Sequence, residues 1–121
     1  MGGGFAGAAA ARTFSRQNPN LNVTVVEPAQ SFMLAPGSNL VLAGRRDPST
    51  LAVEVRGLER HSVSVLSETV ASIEPGRRHI RTVDGQLLLY DRLIIAADAV
   101  ARFETIAGYS ERAASALTNA W

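Results

Sequence analysis

Two rhythms of apolar and polar residues alternate along the chain. Ala6 to Ser15 is rich in alanine, the residue with the highest helix propensity, and predicts a helix. "NPN" at Asn18 to Asn20 ends it in a turn. "NVTVVE", Asn22 to Glu27, is β-rich and closed by Pro28, so it predicts a strand. Residues 28–50 read as irregular, broken by Pro36, Gly37, Gly44 and Pro48, with one helical turn in "SNLVLAG". Leu51 to Arg60 is weakly helical. Short strands follow at Ser62 to Leu66, Thr69 to Ile73, His79 to Val83 and Gln86 to Leu89, with "PGRR" and "DGQ" as turns. Leu93 to Ala97 is a continuous apolar run, the pattern of a fully buried parallel strand. Ser110 to Leu117 predicts a last helix, with Ser110 as N-cap.

The order is glycine loop, helix, strand, antiparallel meander, apolar strand. It predicts an α/β fold, a Rossmann-like doubly wound domain carrying a β-meander insertion. A length of 121 residues fits about one domain.

Composition narrows the chemistry more than the fold. The formal charge is +1, so no strong field points to nucleic acid. All 12 basic residues are Arg. The absence of cysteine removes disulfides, thiolate metal sites and Cys nucleophiles from this chain. No apolar run approaches the roughly 20 residues of a transmembrane helix. No basic region followed by a long apolar stretch marks a signal peptide. His61 and His79 are far apart and read as surface residues, the second on an exposed meander strand. Arg77, Arg78 and Arg81 read as a solvated turn, and no metal site is expected.

The opening, "MGGGFAG", carries the informative motif. Gly2, Gly4 and Gly7 spell G-x-G-x-x-G. In that motif the first glycine makes a tight turn, the second admits a pyrophosphate to the backbone, and the third lets the helix pack closely. The helix N-terminus beyond offers free N–H groups and a favourable dipole. An isolated motif at a terminus is also consistent with a flexible Gly/Ala tail. Glu27 decides between them. It lies 20 residues after Gly7 at a strand end, where the fingerprint asks for an acid to accept ribose hydroxyls. An acid there disfavours a 2′-phosphate, so FAD or NAD fits better than NADP.

"YDRLIIAAD", Tyr90 to Asp98, supplies the second half of the signal. With "VTVVEP", "SNLVLAG", "VASIEPGRRHIRTVDG", "IAGYSE" and "NAW" in order, the chain resembles the flavocytochrome c sulfide dehydrogenase flavoprotein family. That family and the sulfide:quinone oxidoreductases belong to the FAD-dependent pyridine nucleotide-disulfide oxidoreductases. The resemblance covers essentially the whole chain. It implies that residues 1–121 are a partial FAD/NAD(P)-binding domain, the N-terminal segment of a larger flavoprotein. It implies FAD held by Gly2, Gly4 and Gly7, with Glu27 on the adenosine ribose. It places Val70 at the adenine, Ser38 and Asn39 on the loop toward the flavin, and Ala96 on the strand returning to the cofactor. Val70 also reads as plain core, Asn39 as a helix cap and Trp121 as a surface aromatic. A cytochrome c subunit or a quinone is the implied acceptor, and the periplasm the implied compartment.

Four departures temper the implied activity. The opening β-strand is missing. Ala35 stands where the family has a redox-active cysteine. Asp98 stands where it has glycine, which predicts weaker FAD binding. The second nucleotide domain is absent. The expectations are therefore an FAD-binding segment of a sulfur-oxidising flavoenzyme or, alternatively, a non-catalytic degenerate module. An NAD-binding module fits the meander and its return strand less well.

Overall fold

A computed structural model of the chain describes residues 1–99, 102, 105, 107 and 110. The expected helix at Ser110 to Leu117 and Trp121 thus lie outside the described residues, save Ser110 itself. The chain forms two compact units, one from Met1–Phe32 with Val53–Asp98, the other from Met33–Ala52 with Ala99–Trp121.

The first unit is built on helix α1, Phe5–Gln17, and strand β1, Val23–Val26. Every fourth residue of α1 from Gly7 is small (Gly7, Ala11, Ser15), and these three are buried together with Ala8. Spacing of four puts them on one face, so the helix backbone approaches the strands closely. Strand β1 pairs in parallel with β4, Val63–Leu66, in the register Val23↔Val63 to Val26↔Leu66. Between them the chain runs through a 3₁₀ segment, Val55–His61. Ala8, Ala11, Val25, Val55, Leu58 and Val63 form one core cluster, with Val23, Phe32 and Val65 packed against it. Val55 is 1% exposed. Burying such a side chain contributes about 1.5–3 kcal/mol.

The meander follows as β5 (Val70–Glu74), β6 (His79–Thr82) and β7 (Leu87–Leu89), paired antiparallel in that order. Arg78 and Gly85 take positive φ at its two turns. His79 departs from the sequence expectation. It is buried at 9% exposure, because β6 is the central strand and both neighbours shield it. Its Nε2 lies 3.4 Å from Glu74 Oε1.

In the second unit, 3₁₀ turns at Ala35–Gly37 and Pro48–Leu51 flank a short helix α2, Ser38–Leu42. The expected helical turn in "SNLVLAG" is therefore present. Asp47 caps the second turn, accepting the Ser49 N–H at 2.8 Å. Residues expected to be irregular or weakly helical also supply two strands, β2 (Ser31–Met33) and β3 (Ala52–Glu54), paired as a ladder. Backbone pairing, with β-branched Val53 favouring an extended chain, outweighs the weak helical signal there.

The apolar run Leu93 to Ala97 is the largest correction. It is extended without forming a regular strand, and Ile94 and Ile95 are 46% and 60% exposed. A buried parallel strand needs neighbours on its edges and cover on both faces. Here the Met1 amino group donates to the Ile94 carbonyl at 2.8 Å, and the Ala96 N–H donates to the Met1 carbonyl at 2.9 Å. Those two bonds make a single parallel bridge.

Candidate functional site

The glycine loop is held between two backbones. The Gly2 N–H donates to the Val26 carbonyl at 3.0 Å, while Met1 bridges to Ile94 and Ala96. Gly2 has φ +92°, and a Cβ there would strike the Ala96 carbonyl. A Cβ on Gly7 would overlap the Gly2 carbonyl oxygen. Backbone therefore meets backbone at two of the three motif glycines, Gly2 against the 93–97 run and Gly7 of the helix against the loop. Gly4 differs, because a Cβ there meets nothing within 4 Å. Gly4 is also the N-cap of α1, and no side chain caps that helix end. The first intrahelical bond is Ala8 N–H to the Gly4 carbonyl, at 2.9 Å. The preceding amides of Phe5, Ala6 and Gly7 are left as the free donors of a helix N-terminus.

Glu27 follows directly after β1 and reaches back to this loop. Its Oε2 accepts the Gly3 N–H at 2.7 Å and its Oε1 accepts the Ala29 N–H at 2.9 Å. An ionised carboxylate has about four acceptor sites, so two backbone donors fix its orientation and leave capacity for hydroxyl donors. Packing fixes it as well, since a Cβ on Gly3 would lie 2.8 Å from the Glu27 Cβ and 3.0 Å from Val55. Gly3, the x of the motif's first G-x-G, was not expected to matter. The run of three glycines carried that signal, because the middle one gives the acid a backbone donor and room to reach it. Burial lowers the Met1 amino pKa from its usual value, and the negative charge of Glu27 partly opposes the shift.

The remaining expected positions are placed as follows. Ala96 is half-buried beside Gly2. Val70 is half-buried at the start of β5 and pairs with Thr82. Asn39 lies in α2, in the second unit, and is exposed. Ser38 donates its hydroxyl to the Ala35 carbonyl at 2.8 Å. Ala35 opens the 3₁₀ turn before α2, and Asp98 is exposed at the end of the apolar run. His61 is exposed, as expected. Arg77 reaches Glu74 at 3.9 Å, and Arg78 and Arg81 are exposed. Among the described residues, no group of three acidic or imidazole side chains is arranged to hold a metal.

Parallel strands, a glycine turn into a helix and an acid fixed against that turn define a Rossmann-like dinucleotide-binding α/β protein. The model of the pyridine nucleotide-disulphide oxidoreductase family matches residues 1–120, and the chain belongs to that family. The family's cofactor is FAD. The chain is 31% identical over 111 residues to the mitochondrial sulfide:quinone oxidoreductase of Mus musculus, covering 92% of this chain and 25% of that one. It is 44% identical over 41 residues to the flavoprotein chain of a flavocytochrome c sulfide dehydrogenase from Chlorobaculum thiosulfatiphilum, covering 34% of this chain and 85% of that one. Among solved structures, the sulfide:quinone oxidoreductase of Aquifex aeolicus superposes with a TM-score of 0.62 at 22% identity, covering 69% of this chain and 20% of that one. The chain thus spans about a quarter of the length of the Mus musculus relative. No helix among the described residues is long and apolar enough to cross a membrane.

Proposed function

We propose that this chain is the FAD-binding segment of a flavin-dependent oxidoreductase that passes electrons from a sulfur compound to an acceptor. One observation carries the reading. Glu27, 20 residues beyond Gly7, is fixed by the Gly3 and Ala29 N–H groups beside an uncapped helix N-terminus. The two halves of the arrangement suit the two polar parts of an adenosine diphosphate. The amides at Phe5, Ala6 and Gly7 receive the negative diphosphate, with open space at Gly4 for its approach. The Glu27 carboxylate accepts the ribose hydroxyls on its remaining lone pairs. Gly7 keeps the helix close to the loop, and Gly2 lets the loop lie against Ala96. Val70, Asn39 and Ala96 are assigned to the adenine, flavin-loop and return-strand positions on family resemblance. FAD supplies the redox chemistry when bound, and the protein supplies binding, orientation and electrostatics. A quinone or a cytochrome c subunit is the proposed acceptor, because the relatives are named for those partners.

A second reading is favoured by a specific observation. Ile94 and Ile95 are exposed on the run expected to return to the cofactor, and on the family resemblance Ala35 and Asp98 stand where a cysteine and a glycine are expected. A degenerate module with no catalytic role has these features. Titration of the chain with FAD, followed by quenching of flavin fluorescence, separates the two. Saturable binding that weakens about tenfold in Glu27→Gln supports the cofactor site, since one charged hydrogen bond is worth about 1.5–3 kcal/mol. Absence of saturable binding supports the degenerate module. Equal binding by the variant removes Glu27 from the ribose.

A further inference from the structure

Toward the end of α1 remote from the glycine loop lies an open groove of about 710 Å³, lined by Arg12, Thr13, Ser15, Arg16, His61 and Ser62 among others. Arg12 and Arg16 are one helical turn apart and so share a face. Both are exposed, and neither forms an ion pair among the described residues. Among the described residues, no carboxylate lines the groove. A solvated surface normally intersperses both signs of charge. Two guanidiniums without an ion pair among the described residues, lining one groove with an imidazole and a hydroxyl, are a different arrangement.

The opposite wall is fixed in place. Buried Ser15 donates its hydroxyl to the His61 carbonyl at 2.6 Å, tying the 61–62 corner to the helix. Ser62 is held at φ 57° and ψ 35°, a left-handed conformation that non-glycine residues seldom adopt. Its N–H is used by the Glu59 carbonyl at 3.2 Å. That conformation ends the 3₁₀ segment Val55–His61 and fixes the direction in which the corner leaves it.

We infer that this groove is a second, independent binding site for a multiply charged oxyanion of the phosphate type. Arg12 and Arg16 supply planar donors for bidentate contacts, and His61 and Ser62 supply donors from the facing wall. The C-terminal end of a helix opposes an anion with about half a negative charge. Two full guanidinium charges outweigh it. The site is separate from the glycine loop, which uses the other end of the same helix.

Calorimetric titration of the chain with inorganic pyrophosphate tests this, combined with amide chemical-shift mapping. Saturable binding is expected, with shifts at Thr13, Arg16, His61 and Ser62. The double variant Arg12→Gln/Arg16→Gln is expected to weaken it at least about tenfold, which is 1.4 kcal/mol. Both arginines are exposed and contribute little to the core, so the variant is expected to fold. Glu27→Gln is expected to leave groove binding unchanged. No saturable binding, equal affinity in the double variant, or shifts confined to Gly3–Gly7 would each overturn the inference.

Discussion

Two apolar runs of similar composition meet different fates in this chain. "VTVV" in β1 places Val25 and Val26 at 4% and 6% exposure, whereas "LIIAA" leaves Ile94 and Ile95 at 46% and 60%. Hydrophobicity does not separate them, and neighbours do. Strand β1 has β4 on one edge and the small-residue face of α1 above it. The 93–97 run is tied by one bridge to Met1. The glycine loop and Glu27 sit on the packed side of this contrast. A rigid layer under the loop lets the acid and the helix amides hold one geometry.

The sharpest way to break the packed side is Gly7→Ala. Its methyl would overlap the Gly2 carbonyl, so the loop must move, with a cost of about 3 kcal/mol in denaturant unfolding and lost FAD binding. Next comes Val55→Ala, a core truncation expected to cost about 2 kcal/mol with no contact to the loop ligand. The open side responds to addition instead. Four β-branched residues joined ahead of Met1 are expected to extend this parallel pairing toward Leu93, adding about 1–2 kcal/mol and slowing hydrogen exchange at Ile94 and Ala96. No gain in either quantity would show that the run is held apart for another reason. Ile95→Thr is the smallest change, expected within about 0.5 kcal/mol of the parent because the side chain is largely exposed already.

The Met1 amino group gives a pH signature of the same contrast. Burial lowers its pKa below the usual 8.0, so the unfolded chain binds more protons just below that pH. Its contribution to stability is present above about pH 8 and is lost as pH falls through the lowered folded value. Acetylating Met1 is expected to remove that dependence from the melting curve.

Local elements were legible wherever local signals agreed. Alanine propensity, the "NPN" stop and Pro28 delimit α1 and β1 to within about two residues. The glycine spacing and Glu27 pointed to residues that the fold brings together, with Glu27 accepting the Gly3 N–H ahead of α1. Three features depend on tertiary contacts that no local pattern encodes. His79 is buried because its strand is central in the meander. Strands β2 and β3 are three residues each and exist through pairing. Burial of Leu93 to Ala97 depends on a neighbour, and its apolar character says nothing about whether that neighbour is paired with it.

The central claim is that the packed half presents a dinucleotide site at the N-terminus of α1. Amide chemical-shift mapping of the chain during FAD titration tests it most directly. Saturable shifts are expected at Gly3, Gly4, Phe5, Ala6 and Ala29, with Leu58 and Val63 little changed. Shifts that do not saturate, or that spare the 3–6 loop and Ala29, would contradict it.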